Sequence, residues 1–442
     1  MRLSRFGVAL LVAGLVGGAA GCGSSAMKAA ERGDLASLKS DLAARQAAGD
    51  MSNDEAASIA RVVAEREVRI ATGKDAIDRV REVRACSYEL DSILKERMQT
   101  QDEAGAEAAL ARLEGGKLDG DDVRLFAASP DDNWRAVGTR ALTREEDRAQ
   151  RQHAMLDASP RVRRQAMRAA QSALDPADLD PLTEAARVDP EPILRTEAVR
   201  AIAALPPRAG GGVANRLRDL WVVADDGIRE DIALAWASPS VYAAGGREAL
   251  VVLLTTGHGP GVIEGAAAVM RSWDGRDAEV INAAAALVLR AIESGAKHHR
   301  MHAIAVARID KRKDLFDAVV KASDDDDPEV RVAALARLTE LESQRPRAVK
   351  LLEAYAALGK DGGGGPLAMR AKLALASAGD LSIQKWIEAD LTAASAWERL
   401  AAAGDLSALG RSARAAPLLA DPDASVRTRA ACTLMMAARV HK

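Results

Sequence analysis

Apolar residues in this chain recur at helical spacing over most of its length. Between Asn53 and Glu114 they fall at Ile59, Val62, Val63, Ile70, Ile77, Val80, Val83, Leu90 and Leu94. Steps of three, four and seven place them on one face of an α-helix, which predicts a helical hairpin or bundle. Beyond residue 129 the pattern becomes a repeat, in which a turn rich in Asp, Pro or Gly precedes an apolar residue, usually an Arg, and then an Ala-rich amphipathic helix. Its copies are Trp134-Arg135, Val162-Arg163, Leu194-Arg195, Ile228-Arg229, Val330-Arg331, Met369-Arg370 and Val426-Arg427. Weaker copies stand at Val262-Ile263, Met301-His302 and Ala396-Trp397, so that successive copies lie 27 to 39 residues apart. Each step has room for two helices and two turns. That predicts an all-α fold, an α-solenoid of helical hairpins, and an elongated one, since each unit can bury its apolar face only against its neighbours.

The motif's own chemistry is structural. Asp131, Asp225, Asp327 and Asp423 stand four residues before the motif Arg, where a carboxylate caps the free N–H groups of a helix start. Pro160 and Pro328 follow at or near the first helical position, where the missing N–H costs nothing. Three residues after the motif position come Ala166, Ala198, Ala266, Ala305, Ala334 and Ala430, small side chains that let neighbouring helices approach; Ile232 and Leu373 replace them in two copies and predict less regular packing there. The strings Asp327 to Ala334 and Ser159 to Ala166 resemble the second helix of HEAT repeats, and the resemblance extends over roughly two-thirds of the chain. It implies that turn Asp and helix Arg pair between adjacent units and that the second helices line a concave face.

Residues 27–115 lack the motif and are expected to form an N-terminal helical capping region before the repeat array of residues 116–442. Within it, Ala29 to Leu35 read as a helix ended by Gly33 and a second one capped by Asp34, similar to the start of an ankyrin-like unit. Related turns are expected at Gly379-Asp380-Leu381 and Gly404-Asp405-Leu406. The Gly-rich runs 210–212 and 362–365 read as loops, without the Lys and Ser/Thr of a phosphate-binding loop.

Composition narrows the function classes. Hydrophobic residues make up 48% of the 442, but aromatic ones only 3%, which argues against base-stacking platforms and sugar-stacking clefts. With 61 basic and 64 acidic residues, nothing pushes the chain toward nucleic acid. The six Trp are scattered and read as core wedges rather than a binding cage.

Residues 1–21 have the form of an export signal: Arg2 and Arg5, an apolar run from Phe6 to Val16, then small residues from Gly17 to Gly21. Ala19-Ala20-Gly21-Cys22 resembles the lipobox of bacterial lipoproteins. The resemblance implies cleavage before Cys22, a lipid on that residue and, since residue 23 is not Asp, an outer-membrane anchor facing the periplasm. Residues 22–26 are then a lipidated tether. The other two cysteines, Cys86 and Cys432, are expected to lie tens of ångströms apart in an extended fold, as two small buried residues rather than a disulfide.

Candidate catalytic chemistry is sparse. His298 and His302 share a helical face beside His299, but no Glu follows either in a metalloprotease pattern and no third ligand is evident; a solvated helix start accounts for them. Deoxyhypusine hydroxylase, a HEAT-like enzyme, holds iron with His-Glu pairs, and this sequence has none. The run Asp324 to Asp327 lacks the Gly and distal Glu of an EF-hand, and no Gly-x-Ser-x-Gly elbow occurs. No catalytic, metal or cofactor residues are therefore assigned, and no small-molecule substrate or nucleic acid is expected. Five residues past the motif position, Arg140, Arg168 and Arg200 recur, with Arg164 one turn before Arg168; they predict a basic stripe on the concave face for a partner's carboxylates or for phosphate headgroups. The expected function is that of a lipid-anchored, non-catalytic scaffold of the bacterial cell envelope, binding an envelope or periplasmic protein and touching the membrane only through its lipid. The alternative is an enzyme or enzyme accessory factor of the bilin-lyase-related repeat type, with a site assembled across repeats.

Overall fold

The computed structural model of the chain describes residues 24–206, 212–257 and 260–440. Among them every regular element is helical and no strand occurs. The signal segment and Cys22 lie outside the described residues. The tether expected over residues 22–26 is helical from Ser25, where helix Ser25–Arg32 begins with Ser24 as its cap. Gly33 at φ 69° ends that helix, and Asp34 caps the next by accepting from the Ser37 N–H, as the sequence pattern predicts.

Each motif lies at the start of the second helix of a hairpin. Asp131, Asp225, Asp327 and Asp423 accept backbone N–H groups two or three residues ahead, and Pro160, Pro192 and Pro328 occupy the first turn. The motif Arg is the fourth residue of its helix in Asp132–Arg140, Pro160–Ala173, Pro192–Ala204, Asp226–Trp236 and Pro328–Leu338. The same count corrects the register of three copies. In Lys297–Val306 the fourth residue is Arg300, not His302; in Ala396–Ala408 it is Arg399, not Trp397; and in Gly365–Ser377 it is Ala368, not Arg370. Ala303, Ala402 and Ala371 then take the small-residue position and are buried, whereas Ala305 and Leu373 are exposed. Ala166, Ala198, Ala266, Ala334 and Ala430 are fully buried in the seam between neighbouring second helices.

A ladder of ion pairs joins the hairpins. Arg135 donates Nε and Nη2 to Asp157 at 2.8 and 3.1 Å, Arg163 to Asp189 at 2.8 and 3.0 Å, and Arg399 to Asp421 at 2.7 and 3.0 Å. Arg300 reaches Asp325 at 2.5 Å and Arg195 reaches Asp225 at 3.2 Å. The remaining Nη1 of Arg135, Arg163 and Arg399 donates to two carbonyls of the turn before its own helix. One guanidinium thus fastens its own turn and the next. In most rungs the acceptor is the Asp two residues before the cap position, which itself accepts the N–H of that position. Three rungs differ: Arg195 reaches the cap residue Asp225 itself, Arg331 donates to the Tyr355 hydroxyl at 2.6 Å, and Arg229 turns to the Trp221 carbonyl.

The array does not stay open. Residues 53–114 form two further hairpins of the same series, Asn53–Ile70 with Gly73–Glu82 and Asp91–Met98 with Glu103–Glu114, and the last helix, Ala424–Val440, packs along Asn53–Ile70 and against Gly73–Glu82. Second helices therefore touch in one unbroken cycle, from Gly73–Glu82 through Glu103–Glu114 and the motif helices to Ala424–Val440 and back. The fold is a closed ring rather than an elongated rod, and the N-terminal region joins both ends of the array instead of covering one. Cys86 and Cys432, expected far apart, form a disulfide across this joint with Cα atoms 5.5 Å apart. Arg427 extends the ladder over it to Glu67, Ser425 donates its hydroxyl to Glu82, and the Ala413 N–H donates to Asn53 at 3.1 Å. Closure is the sum of small rotations between units.

The second helices form the inner wall. Arg168 lies 3.5 Å from Glu114 and Arg161 2.6 Å from Glu107, both pairs joining helices two places apart in the row. Side chains reach over an intervening helix in this way on the concave side of a curve.

Candidate functional site

The inner wall is where the sequence places the arginine stripe, and most of the positions five residues past the fourth helical residue face it, with Ala268 and Cys432 buried. In order these positions are Arg140, Arg168, Arg200, Leu234, Ala268, Ala305, Ala336, Leu373, Gly404 and Cys432. The row has two chemistries. Its first arc is cationic; farther on, Ala305, Ala336 and Leu373, with Val332, Ala333 and Ala374, floor an apolar groove of about 510 Å³ edged by Arg337, Glu340 and Arg370. Leu373 is 47% exposed there.

The arginines come together, but most are neutralised. Glu197 stands 3.2 Å from both Arg164 and Arg168, and Arg200 pairs with Asp231 at 3.1 Å. Glu114 takes both Arg84 and Arg168. Arg140 is the exception: its side chain makes no hydrogen bond or ion pair with a described residue, and its Nε is buried without a partner. Burial holds its guanidinium below its ordinary value, with Glu114 opposing and Arg168 and Arg84 adding to the shift. The sequence supplies the arginines of this row; it does not show Glu114, Glu197 and Asp231 interleaved with them, because those carboxylates sit at other offsets in their helices.

The next inner helices bring acidic groups and histidines together. His302 Nε2 lies 3.1 Å from Glu264, and this close contact holds the Glu264 carboxyl below the usual range. Burial, with Glu264 and Asp231 nearby, pushes Glu230 up. His299, held down by burial and by His298 and His302, packs at a tilt against His298 with ring centroids 3.9 Å apart. Among the described residues no group of three His, Cys, Asp or Glu is placed to hold a metal ion. Asp324, Asp325 and Asp327 are engaged by Arg347, by Arg300 and by the N-terminus of their own helix.

Other candidates resolve into structure. Trp134 donates to the Gln101 carbonyl at 2.9 Å and packs on Phe126; Trp236 is buried against Trp221. Trp397, expected as a core wedge, is 61% exposed. The turn expected at Gly404-Asp405-Leu406 is absent, since Ala396–Ala408 runs through it and carries Asp405 into the interior beside the buried Lys372 and Asp390. No described helix is long and apolar enough to cross a membrane. In comparisons with known proteins no family model and no curated protein matches the chain.

Proposed function

We propose that this chain is a non-catalytic scaffold of HEAT-like repeats, tethered to the bacterial outer membrane by a lipid on Cys22, that holds a periplasmic or envelope protein against the inner wall of its ring. The observation that carries the reading is the division of that wall into a charged arc, where Arg164, Arg168 and Arg200 are paired with carboxylates and Arg140 is not, and an apolar arc at Ala305, Ala336 and Leu373. A surface with both chemistries suits a folded or extended polypeptide, whose side chains alternate between them. Rigidity supports it too: a ring fastened by buried ion pairs and a disulfide presents the wall already ordered, so less entropy is lost on binding.

The test is photo-crosslinking in cells from an unnatural residue at Leu373 or Arg200, against one at Val222 on an outer helix. Adducts to one protein from the inner positions alone support the reading; adducts confined to Val222 overturn it. Separately, Cys22→Ser is expected to release the protein from membranes.

A second reading, an enzyme accessory factor with a site shared between repeats, has one observation in its favour, the opposed shifts of Glu230 and Glu264 beside His302. It requires a reaction lost in Glu230→Gln but kept in Arg200→Gln.

A further inference from the structure

We infer that Arg140 is an anion seat on the inner wall, built to take a carboxylate side chain from a partner polypeptide, an inference that rests on the scaffold reading and names the chemistry its partner must bring.

Every other arginine of the stripe already holds a carboxylate: Arg164 and Arg168 share Glu197, and Arg200 has Asp231. The neighbour on the other side, Arg84, holds Glu114, on which Arg168 also draws at 3.5 Å. Within the stripe, the guanidinium of Arg140 alone lacks a carboxylate counterpart among the described residues. The helix bearing Arg140, Asp132–Arg140, lies between the helices of Glu114 and Arg168, so Arg140 stands among the guanidinium groups of Arg84 and Arg168, whose carboxylates Glu114 and Glu197 are already engaged. An unpaired, partly buried charge is costly, and the cost is recovered when a ligand pairs it.

A carboxylate on a polypeptide is the occupant the surroundings favour. The partners already present in the series are all carboxylates, and the planar fork of a guanidinium matches that group through two parallel hydrogen bonds. The position is on a concave wall inside a ring, where a side chain projecting from a narrow segment can reach and a flat bilayer cannot.

The experiment uses the purified protein and a fluorescein-labelled decapeptide of glutamate, with a glutamine decapeptide as control, read by anisotropy at low salt. Arg140→Gln is expected to weaken glutamate-peptide binding about tenfold, with Arg140→Lys between the two, and Arg187→Gln on an outer helix without effect. Glu114→Gln is expected to tighten it several-fold, since it removes the carboxylate nearest Arg140 and frees Arg84 to join the seat. Equal binding by wild type and Arg140→Gln, with thermal melting unchanged, overturns the proposal, as does absence of binding by wild type. Arg140-dependent binding to phosphatidylglycerol vesicles without peptide binding overturns it in favour of a lipid headgroup. Should Arg140→Gln fail to fold, Arg140→Lys and Glu114→Gln decide. Because no cellular partner enters the measurement, an intact seat with no crosslinked partner counts against the scaffold reading alone.

Discussion

Arg427 donates Nε and Nη2 to the two carboxylate oxygens of Glu67 at 3.0 and 2.9 Å, pairing residues 360 apart in the chain. The pair repeats the geometry of Arg163 with Asp189 and Arg399 with Asp421, so the first and last hairpins are fastened by the device that fastens neighbours. Both residues are buried, Glu67 at 4% and Arg427 at 7% exposure. Removing one partner leaves the other charge uncompensated, which costs roughly 3 to 5 kcal/mol. Glu67→Gln is therefore expected to lower the melting temperature, and to speed amide exchange in Asn53–Ile70 and Ala424–Val440 more than in Pro192–Ala204. Uniform exchange across the ring would show that the joint is no weaker than any other.

The disulfide at the same joint has a different role. Cys86 and Cys432 are separated by 346 residues, so the bond mainly restricts the unfolded chain, a contribution of roughly 3 to 5 kcal/mol. Ion pairs at the joint remain when it is reduced, and the ring of the reduced protein is expected to stay closed in scattering while unfolding at lower denaturant. Reduction combined with Glu67→Gln is expected to open it and raise the radius of gyration. An open ring on reduction alone would assign closure to the covalent bond.

Register within the repeats can be tested through Arg399 and Trp397, the first a ladder residue that the sequence pattern passes over and the second the residue it selects. Arg399 is mostly buried and holds Asp421 and two carbonyls, so Arg399→Ala is expected to cost roughly 2 to 4 kcal/mol. Trp397 is exposed, and Trp397→Ala is expected to fall within about 1 kcal/mol of wild type. The reverse order in chemical denaturation would put the helix two residues out of the register described.

These residues also mark how far the sequence is readable. The hairpins are legible because each leaves local signs: a capping Asp, a Pro in the first turn, a buried Ala three residues past the Arg. The copies at Arg300 and Arg399 are misread because Ala296 and Ser395 stand where the capping Asp would be, and an apolar residue next to a polar one recurs nearby. Ring closure leaves no local sign at all. Glu67 does the work of a turn Asp from the last turn of a long helix, and whether Cys432 meets Cys86 depends on curvature summed over every unit between them. The charge pairing of the inner wall is hidden because the carboxylates do not recur: Glu197 and Asp231 share the sixth position of their helices, which other copies fill with Val137, Gln165 and Ala333, and Glu114 reaches in from the last position of its own.

Asp405 illustrates the remaining kind of miss and yields a prediction with a definite sign. Gly404 before it signals a turn, but a glycine within a helix costs only about 1 kcal/mol, and burial of Ala402, Ala403 and Leu406 outweighs that. Helix Ala396–Ala408 therefore continues and takes Asp405 inside, near Asp390, whose Oδ2 accepts from the fully buried Lys372 at 2.6 Å. Burial first, and the Asp390 charge second, push the Asp405 carboxyl up to about 7, with Lys372 opposing them. Between about pH 4, the value of a free Asp, and pH 7 the folded protein keeps a proton that the unfolded chain has released, so stability falls as pH rises through that window. Above pH 7 the charged form is buried and the loss is complete. Asp405→Asn removes the ionisation, and is expected to leave melting nearly unchanged at pH 4 and to stabilise by roughly 1 to 3 kcal/mol at pH 8. Lys372→Met removes the opposing charge, and is expected to destabilise the protein most at high pH, where the Asp405 carboxyl is ionised. A gain from Asp405→Asn that is the same at pH 4 and pH 8 would mean that packing rather than ionisation sets the effect.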